Sequence, residues 1–194
     1  MRPRLPPCPC CTGGGETILP RRGLLGAALG LACTAAAGAR AQVPDTAPRR
    51  LTIQRLQTGE VFDGPYWRDG RYDREALRQL DWVLRDPSME EATPMDPRLF
   101  DVLATVARQM DASEGYQVIS GYRAPETNAA RARESRRVSR ASLHMSGMAA
   151  DVRLPGRDSL GLARLAAELQ VGGVGLYRRD GFVHLDCGPA RRWQ

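Results

Sequence analysis

Histidine occurs only twice in the 194-residue chain, and each copy stands near an aspartate. The first lies in SLHMSGMAAD, from Ser142 to Asp151, and the second in FVHLDCG, from Phe182 to Gly188. Neutral imidazole nitrogens and carboxylate oxygens are zinc ligands, and a catalytic zinc takes three of them while a fourth position stays open. His144, Asp151 and His184 make up that number. The spacing from His144 to Asp151 is too long for adjacent turns of one helix. It suits a loop ligand followed by a strand ligand, with Gly147 permitting a sharp turn between them. In FVHLDCG side chains alternate, so Phe182, His184 and Asp186 share one face. Two polar groups facing together from an apolar strand need a partner or an ion. The same residues also fit plain hydrogen-bonded His–Asp pairs, and Asp151 also fits a strand-end cap. With no third histidine to act as a base, a serine or cysteine nucleophile is not indicated.

The elements that must position these residues follow from periodicity. LTIQRLQTGEVFDGPYW, from Leu51 to Trp67, reads as strand, turn, strand. Between Asp73 and Arg85, the residues Ala76, Leu77, Leu80, Val83 and Leu84 recur at helical spacing, and Asp86-Pro87 ends the helix. Asp96 caps a second helix with Pro97 at its first position, and Leu99, Phe100, Leu103, Val106, Ala107 and Met110 form its apolar face. YQVIS is a short strand. PETNAARARESRR is a polar helix whose arginines read as a solvated face or as a rim attracting acidic ligands. AADVRL is a strand and Asp158 to Leu169 a helix. GVGLY and GFVHLD are the last two strands, joined by a turn at Arg178 to Gly181. Strands and helices mix without strict alternation, which makes the fold class α+β.

Residues 1–41 differ in kind. LPRRGLLGAALGLACTAAAGARA carries an arginine pair, a weakly apolar run and a small-x-small end at Ala39-Arg40-Ala41. This reads as a signal peptide of twin-arginine type, cleaved on export, too short for a stable membrane span. All 28 basic residues are arginine. Five lie in the leader with one acid, leaving 23 arginines against 21 acids, a net charge of +2. The formal +6 of the whole chain is thus largely the leader's and makes no case for nucleic-acid binding. Cys8, Cys10, Cys11 and Cys33 leave with the leader, so Cys187 alone remains and no internal disulfide is possible. Residues 42–50 read as a linker and residues 51–194 as one domain.

Ser142-x-His144-x-x-Gly147-x-Ala149-x-Asp151 resembles the signature of zinc D,D-peptidases, the superfamily of D-Ala-D-Ala carboxypeptidases, VanX-type dipeptidases and phage endolysin peptidases. LQTGE, DPRLFD, SGYRAPETN, SLHMSGMAADVRLPG, GGVGLY and FVHLDCGPARRW together resemble the exported YcbK/MepK-like murein endopeptidases, over nearly all of residues 51–193. The resemblance implies a hedgehog/D,D-peptidase-like fold with a small, mainly antiparallel sheet and flanking helices. It implies a zinc cofactor on His144, Asp151 and His184, peptidoglycan stem peptides as substrate, possession of 3-3 diaminopimelate crosslink cleavage, a periplasmic location and a monomer. Alternatives are a D,D-carboxypeptidase and an inactive peptidoglycan-binding module. Arg123 falls where relatives face the scissile carbonyl; a guanidinium there stabilises an oxyanion or grips a substrate carboxylate. Many relatives place an acid three residues before the second histidine, where this chain has Gly181. Asp186 is then the expected catalytic acid–base group, or else the group that orients His184. Asp180 is expected in a hairpin turn, and Cys187 as a spectator thiol on the opposite strand face.

Overall fold

The computed structural model describes residues 47–194; the expected leader, its four cysteines and most of the expected linker lie outside them. Arg49 and Arg50 belong to β1, Arg49–Arg55, and pair with β2, Val61–Arg68. In β1 every second residue from Leu51 is buried, which puts Leu51, Ile53 and, less expectedly, Arg55 on the covered side. A two-residue strand β3, Arg71–Tyr72, closes this edge.

Helix starts are set by side-chain caps. Asp73 accepts from the amides of Glu75 and Ala76 to begin α1, Arg74–Val83. Asp96 accepts from the amide of Arg98 ahead of α2, Pro97–Gln109. Strand β4, Tyr116–Ser120, leads into α3, Pro125–Glu134. A single 3-10 turn, Leu143–Ser146, precedes β5, Ala149–Arg153. Asp158 caps α4, Ser159–Glu168, and the chain closes with β6, Gly173–Tyr177, β7, Phe182–Asp186, and β8, Arg191–Trp193.

All eight strands form one sheet in the order β3-β2-β1-β4-β5-β7-β6-β8. Pairs β1–β4 and β6–β8 are parallel and the others antiparallel. The fold is therefore α+β as expected, with four α-helices among the described residues and a sheet that is mainly antiparallel, as expected, but larger than a small one, with eight strands. Helix α1 packs on β1 and β2, α2 reaches from β1 to β7, and α4 covers β6 and β7. Leu80, Leu99, Phe100, Leu103 and Val106 meet Ile53, Val118, Val152, Val183 and Leu185 in the core. No helix among the described residues is long and apolar enough to cross a membrane.

Candidate metal centre and cleft

One row across the sheet builds the site. Ser120 of β4 stands beside Asp151 of β5, Asp151 beside His184 of β7, His184 beside Gly175 of β6, and Gly175 beside Trp193 of β8. The alternation that buries Val183 and Leu185 against the helices turns His184 and Asp186 to the other face. His144 arrives from the 3-10 turn, whose start is capped by Ser142 and whose end is Gly147 at φ 66°. A Cβ at Gly147 would lie 2.9 Å from the carbonyl oxygen of Pro94, so glycine is required there for space as well as for its φ.

His144 Nε2 lies 3.1 Å from His184 Nδ1 and 3.3 Å from Asp151 Oδ1, and His184 Nδ1 lies 3.0 Å from the same oxygen. Ligands held about 2.0–2.1 Å from a tetrahedral zinc are separated by roughly 3.3 Å, so these three atoms have the spacing of a shared ion. Their partners on the far side agree. His144 Nδ1 donates to the carbonyl oxygen of Gly121 at 2.7 Å, and His184 Nε2 donates to Asp186 Oδ2 at 3.1 Å. Each neutral imidazole therefore turns a lone pair inward, where it meets the other lone pair and a carboxylate. Three buried acceptors converging with no donor between them call for a cation. All three residues are buried. Where a proton rather than a metal ion sits among the three, burial still opposes the charge of Asp151, but attraction and hydrogen bonding from His144 and His184 drive its carboxyl far below the usual range. Burial likewise disfavours charge on His184, but Asp151 and Asp186 outweigh it and raise its pKa above the ordinary 6.5. Among the described residues no other group of histidine, cysteine, aspartate or glutamate converges in this way.

Asp186 is fully buried. Besides His184 it accepts from the amides of Gly173 and Gly188 at 3.0 and 2.9 Å, and from Arg191 Nη1 and Nη2 at 3.1 and 2.7 Å. Burial pushes its pKa up, but the bonds from His184, Gly188, Arg191 and Gly173 hold it down at about 2. It faces the imidazole nitrogen turned away from the three-donor cluster and does not line the cleft. Of the two roles expected for Asp186, this is the position that a group orienting His184 would take.

Arg123 is 6% exposed and lines the cleft. Its Nη1 donates to Asn128 Oδ1 and its Nη2 to Ser120 Oγ, both at 3.2 Å, while Nη2 lies 3.7 Å from Asp151 Oδ2. Its Nε is buried without a hydrogen-bond partner among the described residues. The segment carrying it is fastened on three sides. The Tyr122 amide donates to Leu84 O, the Arg123 amide to His144 O, and the Ala124 amide to Asp86 Oδ2. Asp180 sits in the β6–β7 turn as expected, exposed, and also lines the cleft. The Cys187 thiol, half-buried, donates to Met148 O at 3.6 Å, and burial pushes its pKa up to about 11; it stands outside the donor cluster.

Sequence reasoning missed several supporting residues. Trp193 packs with its ring 5.1 Å from that of His184, and a Cβ on Gly175 would come within 2.5 Å of the indole. Asn128 links Arg123 to the carbonyl oxygen of Ser139 in the loop after α3. Asp86, expected only to end α1, pins the Arg123 segment. The arginine-bearing α3 also divides: Arg131 lines the cleft, which has a volume of about 630 Å³, and Arg133 does not.

An α+β domain with two histidines and an aspartate converging at the floor of an open cleft is built as a metal-dependent hydrolase. A family model described as peptidoglycan L,D-endopeptidase MepK matches residues 43–193. The protein named probable peptidoglycan L,D-endopeptidase MepK of Haemophilus influenzae is 35% identical over 155 residues, 79% of this chain and 83% of that one. The peptidoglycan L,D-endopeptidase MepK of Escherichia coli K12 is 38% identical over 147 residues, 75% and 80% of the two chains. No solved structure matches. The chain belongs to the MepK peptidoglycan L,D-endopeptidase family.

Proposed function

We propose that the protein is a zinc-dependent murein endopeptidase that hydrolyses peptide crosslinks of peptidoglycan, with the 3-3 link between diaminopimelate residues as its substrate. The observation that carries this reading is the trio of inward-facing lone pairs at the cleft floor, in a chain of the MepK family. His144, Asp151 and His184 would hold the ion. Bound there, zinc supplies Lewis-acid polarisation of the scissile carbonyl and lowers the pKa of an attacking water. Asp186 fixes the tautomer of His184, and Arg191 fixes Asp186. Arg123 presents its guanidinium to the oxyanion as charge develops there. Asp151 and Asp180 are the carboxylates lining the cleft among the described residues; with Asp151 committed to the ion, Asp180 is the one available to take the proton from water.

The absence of Cys187 from the donor cluster supports an open fourth position, which favours an enzyme over a binding module that keeps zinc for stability. The donor pattern of turn, strand and strand supports a hedgehog/D,D-peptidase-like fold. The leader supports export to the periplasm by the twin-arginine route. Digestion of purified sacculi by the zinc-loaded protein, followed by separation of the muropeptides, tests the function. The expected result is loss of 3-3 crosslinked dimers, abolished by chelation and by His184→Ala. Release of terminal D-alanine alone would identify a D,D-carboxypeptidase instead, and no release of any product would refute the enzyme reading.

A further inference from the structure

The cleft has more positive charge than the metal chemistry uses. Four arginines line it, Arg123, Arg131, Arg137 and Arg191, against two acids, Asp151 and Asp180. Two of the four are already committed near the metal centre. Arg191 clamps Asp186, and Arg123 is held by Ser120 and Asn128 beside Asp151. Arg131, in the last turn of α3, has no hydrogen-bond or ion-pair partner for its guanidinium among the described residues. Arg137, in the loop after α3, has only a long contact of 3.9 Å to Asp180, with both side chains more than half exposed. An ion pair of that length and exposure contributes little and yields readily to a better partner.

The surroundings make an anion the fitting guest. Arg131 repels the nearby guanidiniums of Arg123 and Arg55, and Arg55 is itself 2% exposed. Asp86, the acid within the same field, attracts Arg131, but its oxygens accept hydrogen bonds from the amides of Ser88 and Ala124 and none from Arg131. The rest of the lining is of another kind. Tyr177 and Phe182 stack at 4.5 Å between centroids, and Trp193 lies beside them. Aromatic faces suit the methylene arm of an extended amino acid, and guanidinium forks suit a carboxylate at its end.

We infer that Arg131 and Arg137 form a carboxylate subsite of the cleft, which reads the free carboxylate of the diamino-dicarboxylic acid flanking the scissile bond, while Tyr177, Phe182 and Trp193 carry its aliphatic arm. The inference rests on the proposed function and names the part of the substrate that the cleft recognises. Arg133, on the same helix but outside the cleft lining, takes no part.

The test compares two crosslinked peptide dimers that differ only in whether the diaminopimelate carboxyl is free or carboxamidated. The zinc-loaded parent, Arg131→Gln, Arg137→Gln, the double variant and an Arg133→Gln control are measured on both. The parent is expected to favour the free acid roughly 10- to 100-fold in kcat/KM, mostly through KM, as charge-assisted hydrogen bonds imply. The double variant is expected to bring that ratio near one with unchanged zinc content and melting temperature, and Arg133→Gln to keep it. A ratio near one in the parent, or a parental ratio in the double variant, overturns the subsite. Should the parent cleave neither dimer, the functional reading fails on its own. Calorimetric titration with the uncleaved tripeptide in its free and amidated forms then decides the subsite: a preference for the free acid that the double variant loses upholds it, and equal binding overturns it.

Discussion

Replacing Asp186 with asparagine tests whether this buried carboxylate orients the metal ligand or takes part in the chemistry. In the parent its two oxygens accept five hydrogen bonds: two from backbone amides, two from Arg191 and one from His184. Asparagine keeps one acceptor oxygen and puts an NH2 group where the other was. If the NH2 faces His184 Nε2, two donors confront each other. The imidazole then relieves the clash by moving its proton to Nδ1, the nitrogen that faces His144 and Asp151. If the oxygen faces His184 instead, the NH2 confronts donors from Gly173, Gly188 and Arg191 in a site with no access to water. Either way the ligand is no longer held with its lone pair inward. Loss of such an outer partner weakens metal binding about 10- to 100-fold, or about 1.4–2.7 kcal/mol. Competition with a chromophoric chelator measures the zinc affinity directly, and circular dichroism checks that the variant is folded. At saturating zinc, kcat should recover to within about tenfold of the parent. Unchanged zinc affinity with kcat reduced more than a hundredfold would refute the orienting role and restore Asp186 as the proton acceptor.

Asp180→Asn should show the opposite pattern, with kcat down by about 10²-fold or more and zinc affinity unchanged, as steady-state kinetics at saturating zinc will report. Arg123→Ala should lower kcat roughly 10²- to 10³-fold with little change in zinc content; a rise in KM alone would mean that Arg123 grips a substrate carboxylate. Gly121→Ala places a methyl against the carbonyl oxygen of Leu84 and displaces both the acceptor of His144 and the Arg123 segment. It should cost about 1–3 kcal/mol, a fall in melting temperature of roughly 3–10 °C. The raised pKa of His184 sets the pH dependence. In the metal-free protein its contribution to stability is fully present below the ordinary 6.5 and is lost as pH rises through the folded value. Zinc needs the neutral ring, so its affinity should run the other way, weakening as pH falls through that same folded value. Denaturant melts of the metal-free protein and chelator competition, each across pH 5.5–8.5 in roughly half-unit steps, will show the two opposed trends.

The cluster of His144, Asp151 and His184 was legible because its information is local. Residue type, the glycine turn and strand alternation all lie within SLHMSGMAAD and FVHLDCG, and the same alternation that sends Val183 and Leu185 into the core fixes the direction of His184 and Asp186. The helix cap at Asp96 was readable for the same reason. The supports were not, because they depend on pairings between distant segments. Arg191 and Trp193 reach the site only through the parallel pairing of β8 with β6, and a three-residue strand with all its side chains exposed carries no burial pattern to announce it. Gly175 reads as an ordinary strand glycine until the indole of Trp193 is laid across it. Asp86 ends a helix in the sequence and anchors the Arg123 segment in space, two roles that one carboxylate fills by offering an oxygen to each. Register connects the two kinds of information. A slip of one residue between β5 and β7 would turn His184 toward the core and Val183 toward the cleft, so burying the apolar residues correctly and assembling the metal centre are a single requirement on the sheet.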